Sequence, residues 1–277
     1  MPEAVGFGAD GAVAALWGHQ QHKGWGLTRH DQHGHAQNVV SLTGARRPSF
    51  VQPLPDGHTL LVEARSPGGS RGGENAAVLD AEGHWVRGAH LGDAIGHVLS
   101  TATGAVWVGY FDEAAAHGSG LGGHGLVRFD AELTPEWLYP FGTGLPTIWD
   151  CYGLNVAGEQ AWANIYNHPN RLISVDAEQA SDHGADPVNG ADRLLIDGTR
   201  GALIGGRAGE HDLVTPILLT PEGVAKRAGA PSRLVMPDGT ELPRARRDAR
   251  PTCRGPEMHV LVGSAVYRVD LDDLTPA

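Results

Sequence analysis

Cysteine, aromatic residues and long apolar runs are all scarce in this sequence. The 277 residues include two cysteines, Cys151 and Cys253, and 6% aromatic residues. So few cysteines are typical of a reducing compartment, and we expect a cytoplasmic protein. No apolar run approaches the roughly 18 residues of a membrane-spanning helix. The first residues also lack a basic region followed by an apolar stretch, so neither a transmembrane segment nor a signal peptide is expected.

Positive charge and common catalytic motifs are scarce as well. The sequence has 21 Lys and Arg against 32 Asp and Glu, a formal net charge of −11. An acidic surface disfavours nucleic acid and anionic membranes, so the expected partners are a small-molecule ligand or substrate, or a soluble protein. Neither a P-loop nor a G-x-S-x-G elbow occurs. No segment has a convincing helical period; a single helical turn is predicted at Asp112–Ala116.

Glycine and proline are abundant, and small-residue corners recur. With 40 Gly and 18 Pro, these two types make up about a fifth of the chain. Corners recur every 46 to 55 residues, at Asp10-Gly11, Asp56-Gly57, Thr103-Gly104, Gly158-Glu159, Gly209-Glu210 and Pro256-Glu257. Such a period, built from short strands, is typical of a β-propeller with one four-stranded blade per repeat. We therefore predict an all-β fold, a single six-bladed β-propeller over residues 1–277 with antiparallel blades; five and seven blades remain alternatives.

The first three blades are predicted from β-branched and aromatic runs bounded by Gly, Asp and Pro. Blade one is predicted at Val5–Ala9, Val13–Trp17, Gly26–His30 and Gln37–Leu42. Blade two is predicted at Ser49–Leu54, Thr59–Ala64, Ala76–Asp80 and Trp85–Ala89. Blade three is predicted at His97–Thr101, Val106–Tyr110, Leu126–Asp130 and Trp137–Tyr139.

The later blades are less regular in sequence. Blade four is predicted at Cys151–Asn155, Ala161–Ile165, Leu172–Asp176 and Arg193–Asp197. Blade five has two predicted strands, Ala202–Gly205 and Leu213–Leu219, with ambiguous pairing from Gly223 to Leu242. Blade six is predicted at Pro251–Gly255, Met258–Val262 and Val266–Leu271. Its fourth strand is either absent or supplied by the N-terminus.

Blade three carries a family resemblance. The segment from Ile95 to Gly109, which contains Trp107-Val108-Gly109, and the following Gly125-Leu126 resemble the blade signature of two-component-regulator-type propellers. The corner here is Thr101-Ala-Thr-Gly104, without the Asp of that family. The resemblance implies a propeller fold. The sensor role that such blades have in membrane-bound regulators is not carried over, because this sequence shows no membrane segment.

In a propeller, the loops between the second and third strands of a blade lie at one end, together with the connections between blades. We call this the long-loop end. Several of its predicted loops are long, namely Gly18–Trp25, Arg65–Asn75, Phe111–His124 and Asn164–Asn170. Long loops on a rigid scaffold commonly hold binding residues. The predicted site therefore lies at this end, whereas Asp56, Glu82, Glu159 and the His30–His35 cluster are placed at the opposite end.

Histidines, carboxylates and arginines at the long-loop end predict three sets of site residues. The predicted catalytic acids and bases are His97, Asp150, His168, Asp112 and Glu113. The predicted substrate-binding residues are Arg65, Arg171, Tyr166, Trp149, Trp25 and Glu63. The predicted metal ligands are His19, His22, His117 and His124, with Zn, Mn or Ca as the divalent ion.

Two functions fit this pattern. The first is an enzyme that acts on a small molecule by hydrolase, lactonase, lyase or cyclase chemistry, with metal assistance if the histidines hold an ion. The second is a non-catalytic propeller that binds a protein or a small ligand. If the loop histidines hydrogen-bond only to backbone or water, they have no catalytic role, and the binding function is favoured. A lectin with one site per blade is disfavoured, because the loops differ greatly from blade to blade.

Overall fold

The computed structural model describes residues 2–18, 24–43, 47–68, 72–117, 120–140, 142–206, 209–244 and 251–274, apart from the side chain of residue 117. The described chain forms two compact units. Unit 1 holds the described residues through Leu138, and unit 2 holds those from Tyr139 onward. Neither helix in the described ranges is long and apolar enough to cross a bilayer.

Unit 1 contains three four-stranded antiparallel sheets, each made of consecutive strands. Sheet one consists of β1 (Ala4–Phe7), β2 (Val13–Gly18), β3 (Gly24–His30) and β4 (Ala36–Thr43). Sheet two consists of β5 (Phe50–Pro53), β6 (Thr59–Val62), β7 (Ala76–Leu79) and β8 (Trp85–Ala89). Sheet three consists of β9 (Ile95–Ser100), β10 (Val106–Tyr110), β11 (Leu126–Phe129) and β12 (Pro135–Leu138). All twelve strands predicted for blades one to three are confirmed to within a few residues.

Strand β10 shows why these sequences fold as blades. All five of its residues, Val106–Tyr110, are buried, because both faces of a blade pack against neighbours. One face contributes Val106, Val108 and Tyr110 to a core shared with sheet two. The other carries Trp107, whose ring lies 5.6 Å from that of Trp137 on β12 in an edge-on arrangement. The predicted helical turn is present as α1 (Asp112–His117).

Unit 2 begins with sheets four and five. Sheet four consists of β13 (Asp150–Ala157), β14 (Gln160–Tyr166), β15 (Arg171–Asp176) and β16 (Gln179–Ala185). Sheet five consists of β17 (Ala191–Asp197), β18 (Arg200–Gly205), β19 (Leu213–Leu219) and β20 (Ala225–Arg227), with the short β21 (Ser232–Arg233) also paired to β19. Apolar residues of both sheets, from Trp162 to Ile217, form their shared core.

The last three strands are β22 (Thr252–Arg254), β23 (Glu257–Val262) and β24 (Ala265–Asp270), followed by α2 (Leu271–Leu274). They match the three strands predicted for blade six. A parallel bridge between Asn155 and Cys253 joins them to β13. The N-terminal strand β1 pairs only with β2 in its own sheet, so the alternative in which it completes blade six is not observed among the described residues.

Two predictions in unit 2 are wrong. The segment Arg193–Asp197 is not the fourth strand of blade four; it belongs to β17, the first strand of sheet five. The true fourth strand, β16, was missed because its sequence, Gln-Ala-Ser-Asp-His-Gly-Ala, has almost no apolar residues and is largely solvent-accessible. Consequently Gly209-Glu210 lies between the second and third strands of sheet five, and the first corner of that sheet is Gly198-Thr199.

The most regular turns of unit 1 join the third and fourth strands of each sheet. Asp31, Asp80 and Asp130 each accept, through Oδ1, the backbone N–H groups of the residues two and four positions later, at 2.8–3.0 Å. These side chains close the turn by replacing backbone acceptors. Their even spacing along the chain marks the repeat better than the glycine corners do.

Candidate functional site

The predicted site residues divide between the long-loop ends of the two units. Of the predicted metal ligands, His19 and His22 lie outside the described residues, as does the side chain of His117. His97 lies within β9 of unit 1, and Asp150 begins β13 of unit 2. Each unit is therefore considered by itself.

In unit 1, Arg65 is the centre of a cluster of charged groups. Its guanidinium lies 2.6 Å from Glu113 Oε2 and 3.8 Å from Asp93 Oδ2. It also lies over the ring of Phe111, 4.8 Å from the ring centre. Asp93 in turn accepts the backbone N–H of Ser66 at 2.8 Å. Because two carboxylates already neutralise Arg65, an anionic substrate would have to compete with both of them, and the cluster serves mainly to tie three loops together.

The other predicted residues of unit 1 lie on separate elements. Asp112 is exposed in the first turn of α1, and Glu63 follows β6, where its backbone N–H bonds Asn75. His124 ends a short 3-10 turn, Leu121–His124. Trp25, on β3, packs partly against the core of sheet one. Their predicted roles in catalysis, metal binding and substrate binding remain predictions.

Two polar residues of unit 1 that were not selected from sequence are Ser66 and His90. The Ser66 hydroxyl donates to the carbonyl of Gly73 at 3.0 Å and lies 3.4 Å from His90 Nδ1. His90 Nδ1 itself lies 2.9 Å from the same carbonyl. A nitrogen that donates to a carbonyl cannot accept the serine proton, so this pair is not arranged as a nucleophile and base.

One group of three potential metal ligands is present among the described residues. It comprises Asp80, Glu82 and His84, in the turn between β7 and β8. This turn lies at the end opposite the long loops, and Asp80 Oδ1 already accepts two backbone N–H groups there. The closeness of these three side chains is thus explained by the turn that Asp80 closes.

In unit 2, aromatic side chains gather at the long-loop end. The rings of Tyr152 and Tyr166 stack with centres 5.6 Å apart. The Tyr166 hydroxyl lies 2.7 Å from Nε2 of the exposed His168, and these two rings meet edge to face at 5.0 Å. Trp149 is 49% exposed, and its backbone N–H donates to the Tyr166 carbonyl at 3.2 Å. We call Tyr152, Tyr166 and His168, with Trp149 joined to Tyr166 through its backbone, the aromatic cluster of unit 2.

Strand geometry explains why the cluster forms. Asp150 and Tyr166 are paired residues at the matching ends of β13 and β14. A bulge between Cys151 and Gly153 inserts Tyr152 as an extra residue beside this pair. On the far side of Tyr166, the loop to β15 is held by Asn167, whose amide donates to the Thr147 carbonyl at 2.7 Å. The predicted residues Tyr166 and His168 are thus in contact, and Trp149 is joined to Tyr166 through its backbone.

The remaining predicted residue of this end, Arg171, is engaged elsewhere. Its Nε lies 3.0 Å from both carboxylate oxygens of Asp182, and a further bond of 2.5 Å joins its Nη2 to Oδ2. Such a two-pronged pair leaves little capacity for an anionic ligand. Cys151, next to Asp150, is buried, and burial followed by the nearby Asp150 charge raises the pKa of its thiol well above the ordinary value. It is therefore not a nucleophile at neutral pH.

Neither Asn164 nor Asp186 is among the predicted site residues. Asn164 is fully buried near the end of β14, and its amide nitrogen donates to Asp186 Oδ2 at 2.9 Å and to the Ala191 carbonyl at 2.8 Å. Asp186 follows β16 and also accepts the N–H of Val188 at 2.6 Å. Burial raises the pKa of Asp186 to about 6, although both hydrogen bonds oppose the shift.

We expect the pH dependence of stability to report this carboxyl. The folded-state pKa is raised above that of the unfolded chain, so its contribution is present in acid and lost as the pH rises from about 4 through about 6. Between pH 4 and pH 8, Asp186→Asn should therefore gain about 2–3 kcal/mol relative to the parent protein. Urea unfolding of both proteins at several pH values measures the difference. A difference that is independent of pH would contradict the assignment.

No protein-family model matches the sequence, and no curated protein matches it. Solved structures do. The alignment with a Lactobacillus plantarum protein covers 82% of this chain and 70% of the Lactobacillus chain, with a TM-score of 0.51 and 12% sequence identity. The alignment with Kuenenia stuttgartiensis hydrazine synthase covers 98% of this chain and 77% of the hydrazine synthase chain, with a TM-score of 0.51 and 13% sequence identity.

A third similar structure is the extracellular domain of a proposed one-component system from B. thetaiotaomicron. It covers 99% of this chain but only 36% of that longer one, at a TM-score of 0.51 and 12% identity. Identities this low show the fold alone. These structural similarities and the successive four-stranded antiparallel sheets confirm the predicted class, an all-β protein of the β-propeller type. The number of blades stays a prediction.

Proposed function

We propose that the protein binds a small molecule that contains a ring, at the aromatic cluster of unit 2. The observation that carries this proposal is the stacked pair of Tyr152 and Tyr166, with the exposed Trp149 joined to Tyr166 through its backbone. Aromatic faces contribute a large apolar contact at little entropic cost, and the hydroxyl of Tyr166 and the imidazole of His168 add polar contacts at the edge.

The second candidate function is acid–base catalysis of the hydrolase or lyase type at the same end. The observation that favours it is the 2.7 Å hydrogen bond between Tyr166 and His168, since such a pair can pass a proton to or from a bound molecule. Asp150, the first residue of β13, is paired with Tyr166 of β14. Binding comes first in either function, so binding is the property to test.

The experiment is a ligand-observed NMR screen of small ring-containing fragments against the parent protein and three variants. Fragments that bind at the aromatic cluster should lose about ten-fold or more of their affinity in Trp149→Ala and in Tyr166→Ala, because each variant removes one contact face. Tyr166→Phe keeps the ring and removes only the bond to His168, so it separates stacking from polar recognition.

The matched control is Trp85→Ala. Trp85 lies on β8 of unit 1 and is 64% exposed, more than Trp149. Fragments that merely adhere to exposed indole rings would be lost in this variant. If Trp149→Ala retains every fragment that the parent protein binds, the aromatic cluster is not the binding site.

Several broader predictions belong to the same proposal. We infer a cytoplasmic protein with one propeller domain over residues 1–277, and a soluble protein partner is the alternative to a small ligand. A divalent metal held by His19, His22, His117 and His124 remains a prediction that elemental analysis before and after chelation tests. A stoichiometric metal lost together with thermal stability would support metal-assisted chemistry.

A further inference from the structure

Within the described part of unit 2, Asn164 carries a buried acceptor that has no donor. Both amide hydrogens of Asn164 are used, by Asp186 and by the Ala191 carbonyl. Because both neighbours are acceptors, they must face the amide nitrogen, which fixes the orientation of the amide group. Asn164 Oδ1 then has no hydrogen-bond partner among the described residues. The residue is 0% exposed, and a buried acceptor without a donor is unusual in a folded protein.

The neighbouring Asp186 is partly buried and has no cationic partner among the described residues. Its two hydrogen bonds come from Asn164 and from the backbone of Val188, both uncharged. The nearest arginine along the chain before it, Arg171, is fully engaged by Asp182. Carboxylates withdrawn from water are normally paired with a positive charge, so this position favours a cationic group.

Both groups lie at the same end of sheet four as the aromatic cluster. Asn164 precedes Tyr166 by two residues on β14, so the two side chains leave the same face of the sheet, about 7 Å apart. Asp186 follows the last residue of β16 at that end. The acceptor pair and the aromatic cluster therefore lie at one end of sheet four, with Asn164 and Tyr166 two residues apart on β14.

We propose that Asn164 Oδ1 and Asp186 form an acceptor subsite that takes the protonated amine of a ligand whose ring packs on the aromatic cluster. The inference rests on the proposed binding function and adds the chemical class of the ligand, a ring-bearing amine. An ammonium group supplies donors for both the carboxylate and the amide oxygen together with the missing positive charge. A hydroxyl supplies one donor and no charge, and a carboxylate would be repelled.

The test compares three probes of equal size at pH 7.5, namely 2-phenylethylamine, 2-phenylethanol and phenylacetate, by ligand-observed NMR titration. We expect the amine to bind the parent protein at least ten-fold more tightly than the alcohol, and phenylacetate to bind most weakly. Asp186→Asn should reduce the affinity for the amine to that for the alcohol. Asp176→Asn changes the net charge equally at the opposite end of sheet four and should preserve the preference.

The outcomes separate this inference from the proposed function. Equal binding of amine and alcohol, lost in Trp149→Ala, overturns the amine subsite and leaves the aromatic site standing. An amine preference that persists in Asp186→Asn also overturns the subsite. No binding of any probe overturns both proposals. The comparison of the three probes on the parent protein needs no variant, so the test holds even where Asp186→Asn fails to fold.

Discussion

Replacing Asn155 with alanine should cost about 3–5 kcal/mol of unfolding free energy, since it leaves buried backbone groups without partners. Asn155 is 0% exposed on β13. Its amide donates to the carbonyls of Leu194 and Gly255 at 2.8 Å each, and its oxygen accepts the Gly255 N–H at 2.7 Å. One side chain thereby connects three stretches of unit 2 that are distant in sequence.

Urea unfolding followed by tryptophan fluorescence measures this loss. The control is Gln37→Ala, which removes a carboxamide side chain from an exposed position on β4 and should change stability by less than about 0.5 kcal/mol. If Asn155→Ala costs less than about 1 kcal/mol, water replaces the lost bonds and the connection is not structural. Asn75 has the same arrangement in unit 1, with bonds to Glu63, Leu91 and Gly92, and should respond in the same way.

Replacing Gly6 with alanine should be nearly as damaging, at about 3 kcal/mol or more. A Cβ at Gly6 would lie 1.6 Å from the carbonyl oxygen of Val51 and 2.7 Å from its carbonyl carbon. Both atoms are backbone, so no side-chain rotation relieves the overlap. The first strands of sheets one and two, β1 and β5, would have to move apart and open the core between them.

Thermal unfolding of Gly6→Ala measures the effect, and Gly229→Ala is the control. At Gly229 the nearest atoms to an added Cβ belong to Pro216, at 3.7 and 3.9 Å, which is ordinary van der Waals contact. That variant should melt within a few degrees of the parent protein. Equal melting temperatures for the two variants would show that the close approach of β1 to β5 is not needed for the fold.

The strands of unit 1 were predictable because their apolar residues are bounded by strong turn signals. Val106–Tyr110 was predicted and observed with the same bounds. In unit 2 the same criterion failed to predict β16, which has few apolar residues. This segment forms a strand because it pairs with the edge of β15. The bonds that define the strand therefore come from its partner rather than from its own composition.

The candidate site was predictable only in part. Trp149, Tyr166 and His168 were selected because they lie in or beside one loop and its paired strand, so sequence proximity brings them together. Asp186 was not identified, since its importance depends on burial beside Asn164, twenty-two residues earlier. The available signal was the polar Asn164 inside the apolar run of β14, because a buried amide needs partners.

The sequence by itself determined the class of fold, since glycine corners and short apolar runs favour few structures other than antiparallel blades. It also determined which loops are long. The tertiary structure alone decided which polar groups meet, which arginines are already neutralised and which acceptors lack a donor. Those outcomes depend on strand register and on the packing of one sheet against the next, and a shift of one residue would send each of these side chains to the other face.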